Sequence, residues 1–369
     1  MNRPIRRVAL VAMLMTLALL INVCVNFLVR QESLNANPQN RRVTDAAFAQ
    51  DRGAIMVGNT AIAETVASKD QFKFQRRYPQ GELYASVTGF FSYNFGSSEL
   101  EQSYGSQLSG SDASPFVNRL IDLATGAKPR GASVQTTLNA KAQKAASDAL
   151  GSRKGAVVAL NPSTGAILAM VTSPTFDPND LATHQVADAR SAWQKLNGDS
   201  ANRPMANRAV REIFPPGSTF KVIVSAAALD AGYEPDSVLD TSSYRLPGTG
   251  TTINTTCGNS QTLKRSLELS CNSAFARLGV KLGSDALREQ AEKFGFGTKP
   301  LSDITSVASR FPEEIDTPQT GLASIGGFEV AATPLQMAMV AAAVRNDGVV
   351  MQPYLVESVR SADLQVLSQ

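Results

Sequence analysis

Histidine and cysteine are scarce in this chain of 369 residues: one histidine, His184, and three cysteines. A Ser-His-Asp triad would have to use His184, and a site built from several histidines is excluded. No CxxC pair occurs, which argues against a cysteine zinc site. Neither GxxxxGK[ST] nor GxGxxG occurs, so the common phosphate-cradling loops are missing. Excess charge of either sign is missing too: 35 basic residues face 32 acidic ones, for a net +3. That balance gives no reason to expect a nucleic-acid partner, which needs a concentrated basic face. There is no long charge run and no repeat of fixed period. His184 lies in the polar stretch ATHQVADAR and reads as an ordinary loop histidine.

What is present is a globular composition, 43% hydrophobic and 18% charged. The length allows about two domains. The segment Val8 to Val29 is uncharged and mostly apolar, broken only by Thr16, Asn22 and Asn26. As a helix, 22 residues rise about 33 Å, enough for a hydrocarbon core of about 30 Å. It is longer than the apolar region of a cleavable signal, and Val25 to Arg30 offers no small-x-small site. It reads as an uncleaved single-pass anchor in the lipid bilayer. Arg3, Arg6 and Arg7 precede it, placing the N-terminus in the cytoplasm and the rest of the chain outside. Residues 1–30 are therefore read as tail and anchor, and the polar residues 31–45 as a linker.

Cys24 falls inside the apolar span, whereas Cys257 and Cys271 lie in the part expected to be extracytoplasmic, where oxidation is permitted. A disulfide between these two is expected. It would stabilise by about 3 kcal/mol in the chain-entropy account.

Residues 46–132 are turn-rich, with short apolar runs broken by YPQGE, YNFGSSE and LSGSDAS, and suggest a small domain of short strands. From residue 133 to 369 the pattern changes. Val134 to Leu138 is strand-like, Asn139 can cap the alanine-rich KAQKAASDAL, and Gly151 can end that helix. Two apolar runs flank Asn161-Pro162-Ser163-Thr164-Gly165, a β-hairpin signature. Helical stretches follow at 221–229, 263–278, 285–294 and 335–344. An antiparallel hairpin followed by a helical cluster reads as α+β.

Ile213-Phe214-Pro215-Pro216-Gly217-Ser218-Thr219-Phe220-Lys221 is the most informative segment. The prolines and glycine cannot lie inside a helix, and the apolar run from Val222 to Leu229 reads as a buried one. Ser218 then falls at the helix start, with Lys221 one turn later on the same face. A serine hydroxyl needs a base to react, and a lysine whose pKa is lowered by burial can serve. The alternative is an N-capping serine followed by a solvated lysine. Further on, Ser270-Cys271-Asn272 sets a hydroxyl and a carboxamide two positions apart. On one helix these would diverge, so a shared site requires a helix end or loop.

Taken in order, Ser218-Thr219-Phe220-Lys221 and Ser270-Cys271-Asn272 resemble the first two motifs of penicillin-binding proteins and serine β-lactamases. Arg52-Gly53-Ala54-Ile55 resembles the start of the pedestal domain of class B penicillin-binding proteins, of the penicillin-binding protein A type. GAVVALNPSTGAILAMVTSPTFDPN and ATPLQMAMVAAAVRNDG resemble that family's transpeptidase domain. The resemblance implies a penicillin-binding transpeptidase fold over 133–369 on a pedestal over 46–132. It also implies a D,D-transpeptidase of the bacterial plasma membrane that crosslinks D-Ala-D-Ala stem peptides and is acylated by β-lactams. In that scheme Ser218 is the nucleophile, Lys221 takes its proton, Ser270 relays protons and Asn272 binds the substrate peptide. No metal or organic cofactor is implied, and partners would be other cell-wall synthesis or division proteins. The family's third motif, Lys-Thr-Gly or Lys-Ser-Gly, does not occur in the 369 residues. The chain is therefore expected to be truncated at its C-terminus, to lack sheet strands and to have little transpeptidase activity of its own. Two other readings are a β-lactamase or β-lactam sensor, and a non-catalytic wall-associated scaffold.

Overall fold

The computed structural model describes residues 3–30, 45, 47–110, 130–361 and 366–368. The expected linker at 31–45 lies, apart from Asp45, outside these. The chain divides into two compact units, one of 1–50 with 67–74 and one of 51–66 with 75–369.

In the first unit, helix α1 runs Arg3–Leu28, and its stretch Arg3–Asn26 is long and apolar enough to cross a membrane. Thr16 and Asn26 each donate a side-chain hydrogen bond within the helix, which lowers the cost of a polar group in an apolar medium. The Thr16 hydroxyl donates to the Ala12 carbonyl at 2.9 Å, and Asn26 Nδ2 donates to Asn22 Oδ1 at 2.8 Å.

The second unit is built on a six-stranded sheet and a separate hairpin. The strands are β1 (Ile55–Val57), β2 (Thr60–Ala67), β3 (Phe74–Arg77), β4 (Ser133–Thr136), β5 (Gly155–Leu160), β6 (Ile167–Ser173), β7 (Val356–Arg360) and β8 (Val366–Ser368). The sheet order is β8-β7-β4-β1-β2-β3. β1 pairs antiparallel with β2 but parallel with β4, and β4 pairs antiparallel with β7, so the sheet is mixed rather than purely antiparallel. It also joins residues on both sides of the boundary read at 132/133.

β5 and β6 form the expected antiparallel hairpin, in register from Gly155 opposite Ser173 to Leu160 opposite Ile167. Its turn closes on Asn161: the carbonyl accepts from Gly165 N at 2.9 Å and the side chain from Ser163 N at 3.0 Å. A helix, α2 (Gly81–Thr88), begins inside the stretch read as turns. The alanine-rich helix α3 (Ala140–Leu150) is capped by Asn139, whose side chain accepts from Lys141 N and Ala142 N, both at 3.0 Å.

The helical part holds α4 (Lys221–Asp230), α5 (Leu263–Glu268), α6 (Asn272–Leu282), α7 (Ser284–Lys293), α8 (Thr317–Ala323) and α9 (Pro334–Arg345). Phe220, Ile223, Val224, Ala227 and Ala228 are buried, the i, i+3, i+4, i+7, i+8 stripe of a core-facing helix. They pack in one cluster with Phe275 and Leu278 of α6 and Leu287 and Ala291 of α7. The single helix expected over 263–278 is two helices, α5 and α6, separated at Leu269–Cys271. The break is physical: Ser270 has φ +55°, a left-handed conformation that cannot continue an α-helix. The helix Val186–Gly198 was not expected; it packs through Ala189, Ala192, Trp193 and Leu196, an i, i+3, i+4, i+7 stripe between exposed polar residues.

A covalent tie and an ionic one brace this unit. Cys257 and Cys271 are disulfide-bonded, with Cα atoms 6.0 Å apart, and Cys24 is free. Replacing both bridged cysteines by serine should lower stability by about 3 kcal/mol in denaturant titration, since the crosslink closes a loop of fourteen positions. Under the sheet, the fully buried Glu101 carboxylate accepts from Arg52 Nε and Arg76 Nε, both at 2.6 Å, and from the Tyr78 hydroxyl at 3.2 Å. Burial alone would raise the Glu101 pKa, but Arg76 and Arg52 outweigh it and hold it below the ordinary carboxylate value. A carboxylate with a depressed folded-state pKa gives stability above its unfolded pKa and loses it as pH falls through the folded one. Glu101→Gln leaves two buried cations unpaired. It should cost about 3–5 kcal/mol at neutral pH, with the deficit relative to wild type shrinking below about pH 4.

Candidate active site

Three backbone features bring four side chains to one point. Pro215 and Pro216 end the preceding extended segment, and Gly217, at φ +57°, turns the chain into a 3-10 turn over Gly217–Phe220 that runs into α4. Ser218 stands exposed on that turn, while Lys221, one turn on, is completely buried. The left-handed Ser270 then turns the chain so that Asn272 opens α6. A serine in that conformation costs about 1–2 kcal/mol, which the surrounding packing must offset.

The result is a cage around one nitrogen. Lys221 Nζ lies 3.1 Å from Ser218 Oγ, 2.9 Å from Ser270 Oγ, 2.8 Å from the Ser270 carbonyl and 2.6 Å from Asn272 Oδ1. An ammonium has three N–H donors, so four oxygens exceed what it can serve singly. A neutral amine can instead donate to the carbonyl and the amide oxygen and accept from a serine hydroxyl. Burial pulls the Lys221 pKa down to about 8. At pH 7 roughly a tenth of the amines are then neutral, against roughly one in a few thousand for an ordinary lysine. The solvated-lysine alternative does not hold, and no side-chain capping bond is made at this turn.

The four residues singled out in the sequence thus surround one point, and their separation along the chain is bridged by α4 packing on α6. The sequence reading missed the Phe275 ring, whose centroid lies 5.7 Å from Lys221 Nζ. Its signal was available: Phe275 is three residues after Asn272, on the buried face of α6. It also missed that the Ser270 carbonyl, and not only its hydroxyl, faces the amine. Cys271, between the two polar residues, is the disulfide partner of Cys257. His184 lies outside this cage, and the described residues contain no group of three or more His, Cys, Asp or Glu able to hold a metal ion.

An exposed serine against a buried, partly neutral amine can open carbonyl groups by forming an ester and releasing an amine. Known proteins resemble this chain over most of its length. Residues 155–368 match the penicillin binding protein transpeptidase domain, and residues 52–134 match the penicillin binding protein A dimerisation domain. The peptidoglycan D,D-transpeptidase PbpA of Mycolicibacterium smegmatis is 44% identical over 382 residues, which take in 100% of this chain and 77% of that protein. The PbpA of Mycobacterium tuberculosis is 42% identical over 381 residues, again 100% of this chain and 77% of that protein. The structure of penicillin-binding protein A from M. tuberculosis as an imipenem acyl-enzyme superposes with a TM-score of 0.83 at 41% identity, covering 88% of this chain and 77% of that one. Its penicillin G acyl-enzyme gives 0.82 at 42% identity, covering 87% and 76%. This chain belongs to the penicillin-binding protein family of D,D-transpeptidases.

Proposed function

We propose that Ser218 is the residue acylated when this D,D-transpeptidase crosslinks peptidoglycan, and that Lys221 is its base. The observation that carries the reading is the cage itself: an accessible hydroxyl 3.1 Å from a fully buried amine. Neutral Lys221 takes the proton from Ser218 Oγ as that oxygen attacks the carbonyl between the two terminal D-alanines of a stem peptide. The amide bond breaks, and the proton passes from Lys221 through the Ser270 hydroxyl, 2.9 Å away, to the departing D-alanine amine. An ester on Ser218 remains. The amine of a second stem peptide attacks that ester, gives up a proton along the same path in reverse and regenerates the hydroxyl. Asn272 Oδ1 is engaged by Lys221 at 2.6 Å, which leaves its exposed Nδ2 to donate to the substrate backbone. A β-lactam enters the same first step, but its leaving amine stays tethered, so the ester persists.

The same reading sets the protein in a bacterial plasma membrane, with α1 spanning the bilayer, the N-terminus in the cytoplasm and the active site outside. Three arginines before the span support the orientation, and the bridged Cys257 and Cys271 fit an oxidising compartment. The remaining partners in this proposal are other proteins of cell-wall synthesis and division.

Two measurements test the assignment. Incubation with excess penicillin G should add one penicilloyl mass, and peptide mapping should find it on Ser218; Ser218→Ala should take up none. An adduct elsewhere, or one that survives in Ser218→Ala, would reject Ser218. The acylation rate should rise with pH and level off above about 8, because Lys221 acts only when neutral and its pKa is lowered to about 8. Lys221→Ala should lose about 10²–10⁴-fold and the inflection with it.

A further inference from the structure

The approach to Ser218 is poor in backbone donors. Pro215 and Pro216 have no N–H, and no side chain caps the turn that follows. The segment is therefore held from outside. Phe214 and Ala332 exchange two backbone hydrogen bonds, both 2.9 Å. The next amide along the chain is that of Gly217, which donates to the Gly326 carbonyl at 3.1 Å. Both holds come from one strap, residues 326–332.

This strap has an unusual backbone. Gly326 has φ +75°, and two non-glycine residues, Phe328 and Glu329, have φ +39° and +60°. It is anchored at both ends. Gly326 N donates to Ala323 O at 2.9 Å and Gly327 N to Leu322 O at 3.1 Å, both on the end of α8. Ala331 exchanges bonds of 2.8 and 3.0 Å with Arg310. At Gly326 the strap and the nucleophile turn meet backbone to backbone. A Cβ added there would lie 2.0 Å from the Gly217 oxygen and 2.6 Å from its carbon and nitrogen. No side chain fits without moving the peptide that joins Gly217 to Ser218.

We infer that Gly326 is a positioning residue for the nucleophile: its carbonyl and its bare α-carbon fix the Gly217–Ser218 peptide so that Ser218 Oγ lies within reach of Lys221 Nζ. The inference rests on Ser218 being the nucleophile. It assigns the strap a task separate from packing, because the contact is with the residue bonded to Ser218 and not with the core.

Gly326→Ala in the full chain tests it, with Gly248→Ala as control. Gly248 has nearly the same backbone angle, φ +72°, but nothing within 4 Å of an added Cβ, so it shares the strain without the contact. The penicillin G acylation rate should fall about 10²-fold in Gly326→Ala, the size expected for a misplacement of about 1 Å, and by less than about 3-fold in Gly248→Ala. Equal losses in the two variants would overturn the inference. A crystal structure of Gly326→Ala should show Ser218 Oγ moved away from Lys221 Nζ; an unchanged 3.1 Å separation would overturn it whether or not the wild type is acylated. Should Gly326→Ala not fold, hydrogen exchange on the wild type decides. The Gly217 amide should be protected, and exchange at the free-peptide rate would refute the clamp. Absence of any wild-type acylation would count against Ser218 as nucleophile and leave the structural readouts to judge the clamp.

Discussion

A lysine amine with no exposed surface lies beside the exposed Ser218, and the helical part of the fold is arranged around making that tolerable. Taking an ammonium out of water is costly unless polar groups replace its hydration. Here four oxygens do so, one from the turn before α4, two from Ser270 in the break between α5 and α6 and one from Asn272 at the start of α6. The replacement is partial, and the residual cost appears as a pKa lowered to about 8. Structure and reactivity are thus the same fact: the oxygens make burial bearable, and the burial leaves an amine that can give up its proton near neutral pH.

The supports of this cage are unlike one another. α4 places Lys221 by ordinary apolar packing, with Phe220 against Phe296 and Phe311 at 5.9 and 5.8 Å. The Ser270 corner is a strained backbone held by α5 before it and by the disulfide-bonded Cys271, at the N-cap of α6, after it. Ser218 itself rests on a proline-rich segment that has few bonds of its own to offer. Beneath the mixed sheet, Glu101 between Arg52 and Arg76 performs for the strands what the oxygen cage performs for the helices, a buried charge met by preset partners.

Much of this could be read along the chain because it depends on near neighbours. Asn139 as a cap, the turn at Asn161–Gly165, the buried stripe of α4 and the one-turn spacing of Ser218 and Lys221 are local patterns with local causes. Even the demand that Ser270 and Asn272 could share a site only off a regular helix followed from helix geometry. What escaped depends on distant partners or on rare backbone states. Nothing near Val134 indicates that it lies beside Ile55 on one strand and Val359 on another. Serine seldom adopts a positive φ, so the corner at Ser270 was hidden inside an apparent single helix. Gly326 gives no sign in sequence that it touches Gly217. The helix over 186–198 does carry an apolar face at Ala189, Ala192, Trp193 and Leu196, but Asp188, Arg190, Gln194 and Lys195 between them obscured its helical spacing.

The cysteine in the middle of Ser270-Cys271-Asn272 has a consequence for timing. Two of the residues that surround Lys221 flank one end of a covalent crosslink, so their corner carries a tether made by a chemical event after synthesis. A chain that still carries the free thiols has the same residues but an untethered corner. Forming that bond takes two hydrogens from the two thiols, so the tether at this corner is a chemical addition to the folded chain and not a product of packing alone.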